Sequence, residues 1–212
     1  PMDIYAAGEQ AQVPCLIGNN NAEMPAFAFL AGGAPTIAGL SPAVENWLGV
    51  KASEVLPLYG IHTDADIFGL PGYALGGDIF IVYSTWKWLD MQQSTSSKPV
   101  YRYKYCHPRP EMKQKDLVAG LAGGVQKKDD SAPAIPPTPG AVHSADIEYQ
   151  MGNLPTNDVF DWKADDYAVS EVFLKFFVNF IKTGNPNGLG LPTWDSINGK
   201  AVAPVMMIDL SL

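Results

Sequence analysis

The stretch Gly140-Ala141-Val142-His143-Ser144-Ala145-Asp146-Ile147-Glu148-Tyr149-Gln150-Met151-Gly152-Asn153-Leu154 decides how this chain is read. It follows the proline-rich run Pro136-Pro137-Thr138-Pro139, so His143 falls on a loop and not in a helix or strand. Carboxylates stand three and five positions on, at Asp146 and Glu148. Two readings are open on chemistry alone. His143 is a structural histidine satisfied by its surroundings, or it is a general base. A general base needs a carboxylate on its other ring nitrogen, and short-range spacing does not identify one.

Outward from that stretch, the rest of the chain narrows the choice. The 212 residues carry 14 basic and 22 acidic side chains, a net charge of −8, which disfavours tracking a phosphate backbone and excludes a nucleic-acid partner. An apolar share of 47% against 17% charged is ample for a buried core. Twenty glycines and 18 prolines predict many turns. No apolar stretch reaches the roughly 18 residues that span a bilayer, and the best candidate, around Ile79–Met91, is broken by Lys87 and Asp90. Pro1–Tyr5 offers neither a basic nor an apolar leader segment, so no signal peptide is expected within it. Two cysteines make no disulfide framework, and Cys15, in the apolar run Val13–Ile17, reads as a buried thiol.

Three strands are expected. Val13–Ile17 runs into a loop at Gly18-Asn19-Asn20-Asn21, Pro99–Tyr105 alternates aromatic and basic residues, and Val205–Ile208 lies near the C-terminus. The clearest helix spans Asp165–Lys182, opened by two aspartates and closed by Gly184 and Pro186. Val169, Phe173, Phe176, Phe177 and Phe180 form one face, and the other apolar residues call for packing on most sides. A second helix is expected from about Tyr73 to Gln92, with Ile79, Val82, Tyr83 and Trp86 on one face. Shorter ones fit Pro42–Leu48 and Ser53–Tyr59. From 107 to 140 no pattern persists, which predicts an exposed loop of polyproline character, with Gly32-Gly33 and Gly123-Gly124 as turn glycines. The sequence of elements predicts an α/β fold with a mostly parallel sheet and helices against it, in a single domain.

The usual chemical motifs are missing. His62, His107 and His143 are not spaced as metal ligands, and no phosphate loop or dinucleotide fingerprint occurs, so neither a metal nor a cofactor is expected. His62 and His107 read as loop or surface histidines.

The chain nevertheless resembles one family closely. The segment around His143 resembles the catalytic-histidine segment of type B carboxylesterases, the cholinesterase-like branch of the α/β-hydrolases. Phe177–Asn187 is similar to the end of that family's long helix, and Leu191-Pro192-Thr193-Trp194 resembles the proline and tryptophan usual after that helix. Val13–Glu23 is similar to the strand and turn that carry its catalytic acid. The three segments stand in the family's order across essentially the whole chain. The resemblance implies that Glu23 is the acid and His143 the base of a Ser-Glu-His triad. The acid precedes the histidine, as in the α/β-hydrolases generally. Ala22-Glu23-Met24 departs from the family's usual Asp-Glu-Gly but keeps the carboxylate. Asp146, where relatives often carry glutamate, is implied as a supporting group near the histidine loop. Phe27 and Phe29 are candidates for the wall of the substrate gorge.

The resemblance also implies what is missing. No GxSxG elbow occurs, Gly39-Leu40-Ser41-Pro42-Ala43 being the nearest approach, and no HGGG-type oxyanion loop precedes it. The chain therefore reads as the C-terminal half of an esterase domain, residues 1–212 forming one partial domain. Its expected partners are a small carboxylic ester and the N-terminal half of the same domain, and alone it is expected to be inactive. The alternatives are a non-catalytic cholinesterase-like binding module or an inactive fragment. By the same resemblance, secretion or a periplasmic location is favoured over the cytoplasm.

Overall fold

A computed structural model of the chain describes residues 1–30, 33–120, 124–129 and 136–211. These residues fall into two compact units. The first comprises Pro1–Asn19, Ser84–Lys113 and Ala145–Leu212, and the second comprises Asn20–Tyr83 and Gln114–Ser144.

The first unit is built on a three-stranded sheet with the order β1-β2-β5, where β1 is Cys15–Asn20, β2 Val100–Tyr105 and β5 Met206–Ile208. β2 and β5 run parallel, with Tyr103 opposite Met206 and Tyr105 opposite Ile208. β1 and β2 advance together: Cys15 N–H donates to Pro99 O at 3.0 Å, and Gly18 lies against the ring of Tyr103. Parallel pairing excludes a disulfide. Cys15 starts its strand beside Pro99, whereas Cys106 follows the far end of β2, about 23 Å along at 3.3 Å per residue. Both thiols are free, and burial raises the pKa of each.

Alternation in β2 has the expected result. Tyr101, Tyr103 and Tyr105 are buried, while Arg102 and Lys104 on the other side are half-buried. The tyrosines meet the longest helix, α7 (Ala164–Thr183). Phe173 stacks on Tyr105 with centroids 5.5 Å apart and an interplanar angle of 11°, and it meets Tyr103 edge-on at 5.4 Å. Trp194 closes this layer against Tyr101, Tyr103 and Phe176, its Nε1–H bonded to Arg102 O at 3.1 Å. Each fully buried aromatic of this kind stabilises the fold by roughly 1.5–3 kcal/mol through surface removed from water. Residues Val169, Phe173 and Phe176 of α7 are buried, but Val172, Leu174 and Val178 are only half-buried and Ile181 is 77% exposed. The helix is packed on one face and not on most sides.

α7 begins where Asp166 accepts the Lys163 N–H at 2.7 Å, and it ends at left-handed Gly184 with φ +74°. The short helices α1 (Met2–Ala6) and α6 (Ile147–Met151) complete the unit, with Tyr149 of α6 buried.

The second unit gathers α2 (Ile37–Leu48), α3 (Ala52–Val55) and α4 (Leu70–Gly77) around Leu40, Val44, Val55, Ile61, Ile67 and Leu75. α2 begins five residues before the expected start, because the Thr36 hydroxyl caps it by accepting the Gly39 N–H at 3.1 Å. The helix expected at Ser53–Tyr59 is α3 followed by a tighter 3-10 turn, Leu56–Tyr59, with Pro57 near its start. Leu117–Ala119 (β3) and Val125–Lys127 (β4) pair as an antiparallel hairpin inside the segment expected to be loop throughout. Its residues are exposed or half-buried. Of the segments read as turn or polyproline, Gly32, Gly123 and Ser131–Ile135 lie outside the described residues.

The expected helix at Tyr73–Gln92 exists as a longer run, α4, then a π-helical turn at Asp78–Val82, then α5 (Tyr83–Thr95). A π turn accommodates one extra residue, about 100° of helix rotation, so the apolar stripe changes direction there. The four residues expected on one face are consequently divided: Ile79 and Val82 are half-buried, Ile79 against the core of the second unit, while Tyr83 and Trp86 face outward. Tyr83 is 60% exposed and Trp86 is exposed, whereas Leu75 and Leu89 are buried.

Candidate active site

Glu23 and His143, 120 residues apart in sequence, meet in the second unit. His143 Nδ1 lies 2.6 Å from Glu23 Oε2. A carboxylate only accepts, so Nδ1 carries the proton and the neutral ring keeps Nε2 as its basic nitrogen. Glu23 is 7% exposed, while the His143 side chain retains 26% of its surface. The carboxylate is thus enclosed and the imidazole open on one side.

The local backbone explains how the two loops hold this register. β1 does not stop at Ile17 as expected but continues through Asn19 and Asn20. Beyond it, the chain turns so that the Asn20 N–H donates to Glu23 Oε1 at 2.6 Å, which engages the second carboxylate oxygen. Ala22 bridges Val142 in parallel, its N–H donating to Ala141 O at 3.0 Å. The side chains of the asparagines, read from the sequence as loop, complete the join. Asn20 Nδ2 donates to Val142 O at 2.7 Å, and Asn21 Oδ1 accepts the Ala141 N–H at 2.8 Å.

Two glycines permit this close approach. A Cβ on Gly140 would sit 2.3 Å from Asn21 Oδ1, and one on Gly76 would sit 2.3 Å from Met24 O. Either contact would push the acid turn or the histidine loop out of register. Directly after His143, Ser144 has φ +65°, a left-handed conformation that costs a non-glycine residue about 1 kcal/mol or more. Phe80, in the middle of the π turn, meets the imidazole edge-on with centroids 5.1 Å apart. Reading the sequence did not single out Asn20, Asn21, Gly76 or Phe80. The triple asparagine before an acid was the available signal for the first two.

The remaining candidates are placed elsewhere. Asp146 belongs to the first unit, where its Oδ2 accepts the Tyr103 hydroxyl at 3.2 Å. Phe27 packs against Phe68 and Tyr73, and Phe29 against Trp47. His62 is exposed, as expected. His107 is not a surface residue: only 13% of its side chain is exposed, with Nε2 2.9 Å from Asp166 Oδ1 and Nδ1 3.4 Å from Asp209 Oδ1. Among the described residues no cluster of His, Cys, Asp or Glu is arranged to hold a metal, and no helix is long and apolar enough to cross a membrane.

A parallel sheet flanked by helices, with an acid after one strand and a histidine on a late loop, defines an α/β-hydrolase. The profile of the carboxylesterase family matches residues 73–212, and the chain belongs to that family. Its curated relatives include acylcarnitine hydrolase of Mus musculus, 25% identical over 207 residues, with 92% of this chain and 33% of the relative covered. Carboxylesterase 4A of Bos taurus is 29% identical over 212 residues, covering 93% of this chain and 34% of that protein. Two structures of PNB esterase superpose on 98% of this chain and 37% of theirs at 18% identity, with TM-scores of 0.57 and 0.60. The chain spans about a third of the length of the curated relatives it matches.

Proposed function

We propose that the chain contributes the acid, Glu23, and the base, His143, of a Ser-Glu-His triad that hydrolyses small carboxylic esters. The observation that carries this reading is the 2.6 Å bond between Glu23 Oε2 and His143 Nδ1, formed by a buried carboxylate and a partly open imidazole. Family membership supports ester hydrolysis as the reaction class. In this reading residues 1–212 are part of one catalytic domain, and the serine and oxyanion donors come from residues outside them.

The chemistry follows from the geometry. The serine hydroxyl attacks the acyl carbon while His143 Nε2 takes its proton, and the carbonyl electron pair moves onto oxygen. Collapse of the tetrahedral intermediate expels the alcohol, protonated by the imidazolium, and leaves an acyl-serine. Water then repeats the sequence and releases the acid. Glu23 stabilises the imidazolium in both halves and holds Nε2 toward the reacting groups; it stays ionised throughout.

The test is turnover of p-nitrophenyl acetate. The 212-residue chain is expected to be nearly inactive, and a longer chain that includes a serine elbow is expected to turn over. The reading fails if that longer chain is inactive and His143→Ala leaves its behaviour unchanged. A binding module would have no use for a buried glutamate aligned on one nitrogen of an open histidine, so the pair weighs against that alternative.

A further inference from the structure

We propose that Asn20 is a positioning residue for the Glu23–His143 pair, an assignment that rests on the pair acting as acid and base. Asn20 is 2% exposed and is the last residue of β1, so its backbone is held by the strand. It bonds to both loops, next to each functional group. Its N–H donates to Glu23 Oε1 at 2.6 Å, on the carboxylate itself. Its side-chain Nδ2 donates to Val142 O at 2.7 Å, on the peptide directly before His143.

The two bonds have different consequences. The backbone bond occupies the carboxylate oxygen that does not face the histidine, so Glu23 cannot rotate without losing a charge-assisted bond. The side-chain bond fixes the height of the histidine loop over the end of β1. Together they set the separation of groups that lie 120 residues apart. The chemistry at position 20 is correspondingly narrow. Aspartate has the right shape but presents an acceptor to the Val142 carbonyl, alanine has no donor, and glutamine is one methylene too long. Asn21 has a lesser part: its side chain holds the Ala141 N–H, one peptide further from the base, and it makes no bond to Glu23 in this geometry.

The test uses the 212-residue chain and proton NMR. A proton held between His143 Nδ1 and a carboxylate resonates far downfield and is assigned by its loss in His143→Ala. Asn20→Ala and Asn20→Asp are both expected to lose or broaden the downfield proton. Asn21→Ala is expected to keep it. Should Asn20→Ala fail to fold, the isosteric Asn20→Asp carries the test. The assignment is overturned if folded Asn20 variants keep the wild-type resonance. A different pattern, with no downfield proton in the wild type, removes the pair itself and Asn20's role with it. In a chain completed by its serine, Asn20→Ala is expected to lower kcat about 10²-fold, as for a displacement near 1 Å, with KM little changed.

Discussion

The two units each contain a histidine bonded to a buried carboxylate, and the two pairs differ in how much of the ring they leave open. In the second unit His143 gives Nδ1 to Glu23 and keeps a quarter of its side chain open. In the first, both nitrogens of His107 face carboxylates, Asp166 at 2.9 Å and Asp209 at 3.4 Å. Asp166 is itself shared: it accepts the Tyr149 hydroxyl at 2.6 Å and caps α7 through the Lys163 N–H. With Nε2 committed to the buried Asp166, Nδ1 facing Asp209 and only 13% of the side chain exposed, His107 offers a substrate little open ring. It joins the end of β2, α6, the start of α7 and the segment after β5 as a structural tie. Histidine beside carboxylate is therefore not a catalytic signature in itself. What separates the two is whether the second nitrogen is committed.

That contrast can be broken most directly at His143. In a serine-complete chain, His143→Ala is expected to lower kcat on the order of 10⁵-fold in an ester-hydrolysis assay, while His107→Gln leaves kcat within a small factor. Equal losses would abolish the distinction. Glu23→Gln comes next. It keeps the shape but lets the side chain donate to Nδ1, favouring the wrong tautomer, and kcat is expected to fall on the order of 10⁴-fold. Full activity in that variant would exclude Glu23 as the orienting acid.

The structural pair is tested by stability. Asp166→Ala strands the partners of a buried carboxylate, His107, Tyr149 and the Lys163 N–H, and is expected to cost about 3 kcal/mol in urea unfolding. An unchanged midpoint would mean that the tie carries nothing. The smallest effect is a pH slope. Burial raises the pKa values of Tyr105 and Tyr149, and burial with the Asp78 bond raises that of Tyr59. The unfolded chain loses these protons near pH 10 while the folded chain keeps them. Their stabilising contribution is thus present below about pH 10 and is lost as pH rises further. Urea unfolding between about pH 9 and pH 11 should show this decline, and Tyr149→Phe should flatten part of it. A flat profile would contradict burial of these hydroxyls.

Much of this arrangement was legible locally. The tyrosine alternation located β2, and the aspartates with Gly184 located α7 to within a residue at each end. Both depend on neighbours within a turn or two of chain. The phase of the Leu70–Thr95 run was not legible, because a single π turn redirects every residue after it and turned Phe80 against His143. Asn19 and Asn20 read as loop because their propensity favours turns, yet they form the end of β1. Asn20 there bonds a carboxylate three residues on and a peptide 122 residues away.

The sequence by itself determined the class of fold and marked Glu23 and His143 as candidates, since strand alternation, helix caps and family motifs are written in short segments. Only the tertiary structure decided which histidine is left partly open and which is enclosed. That depends on how many carboxylates reach each imidazole. Glu23 and Asp166 lie 120 and 59 residues from the rings they engage, and separations of that size are set by packing and not by any local pattern.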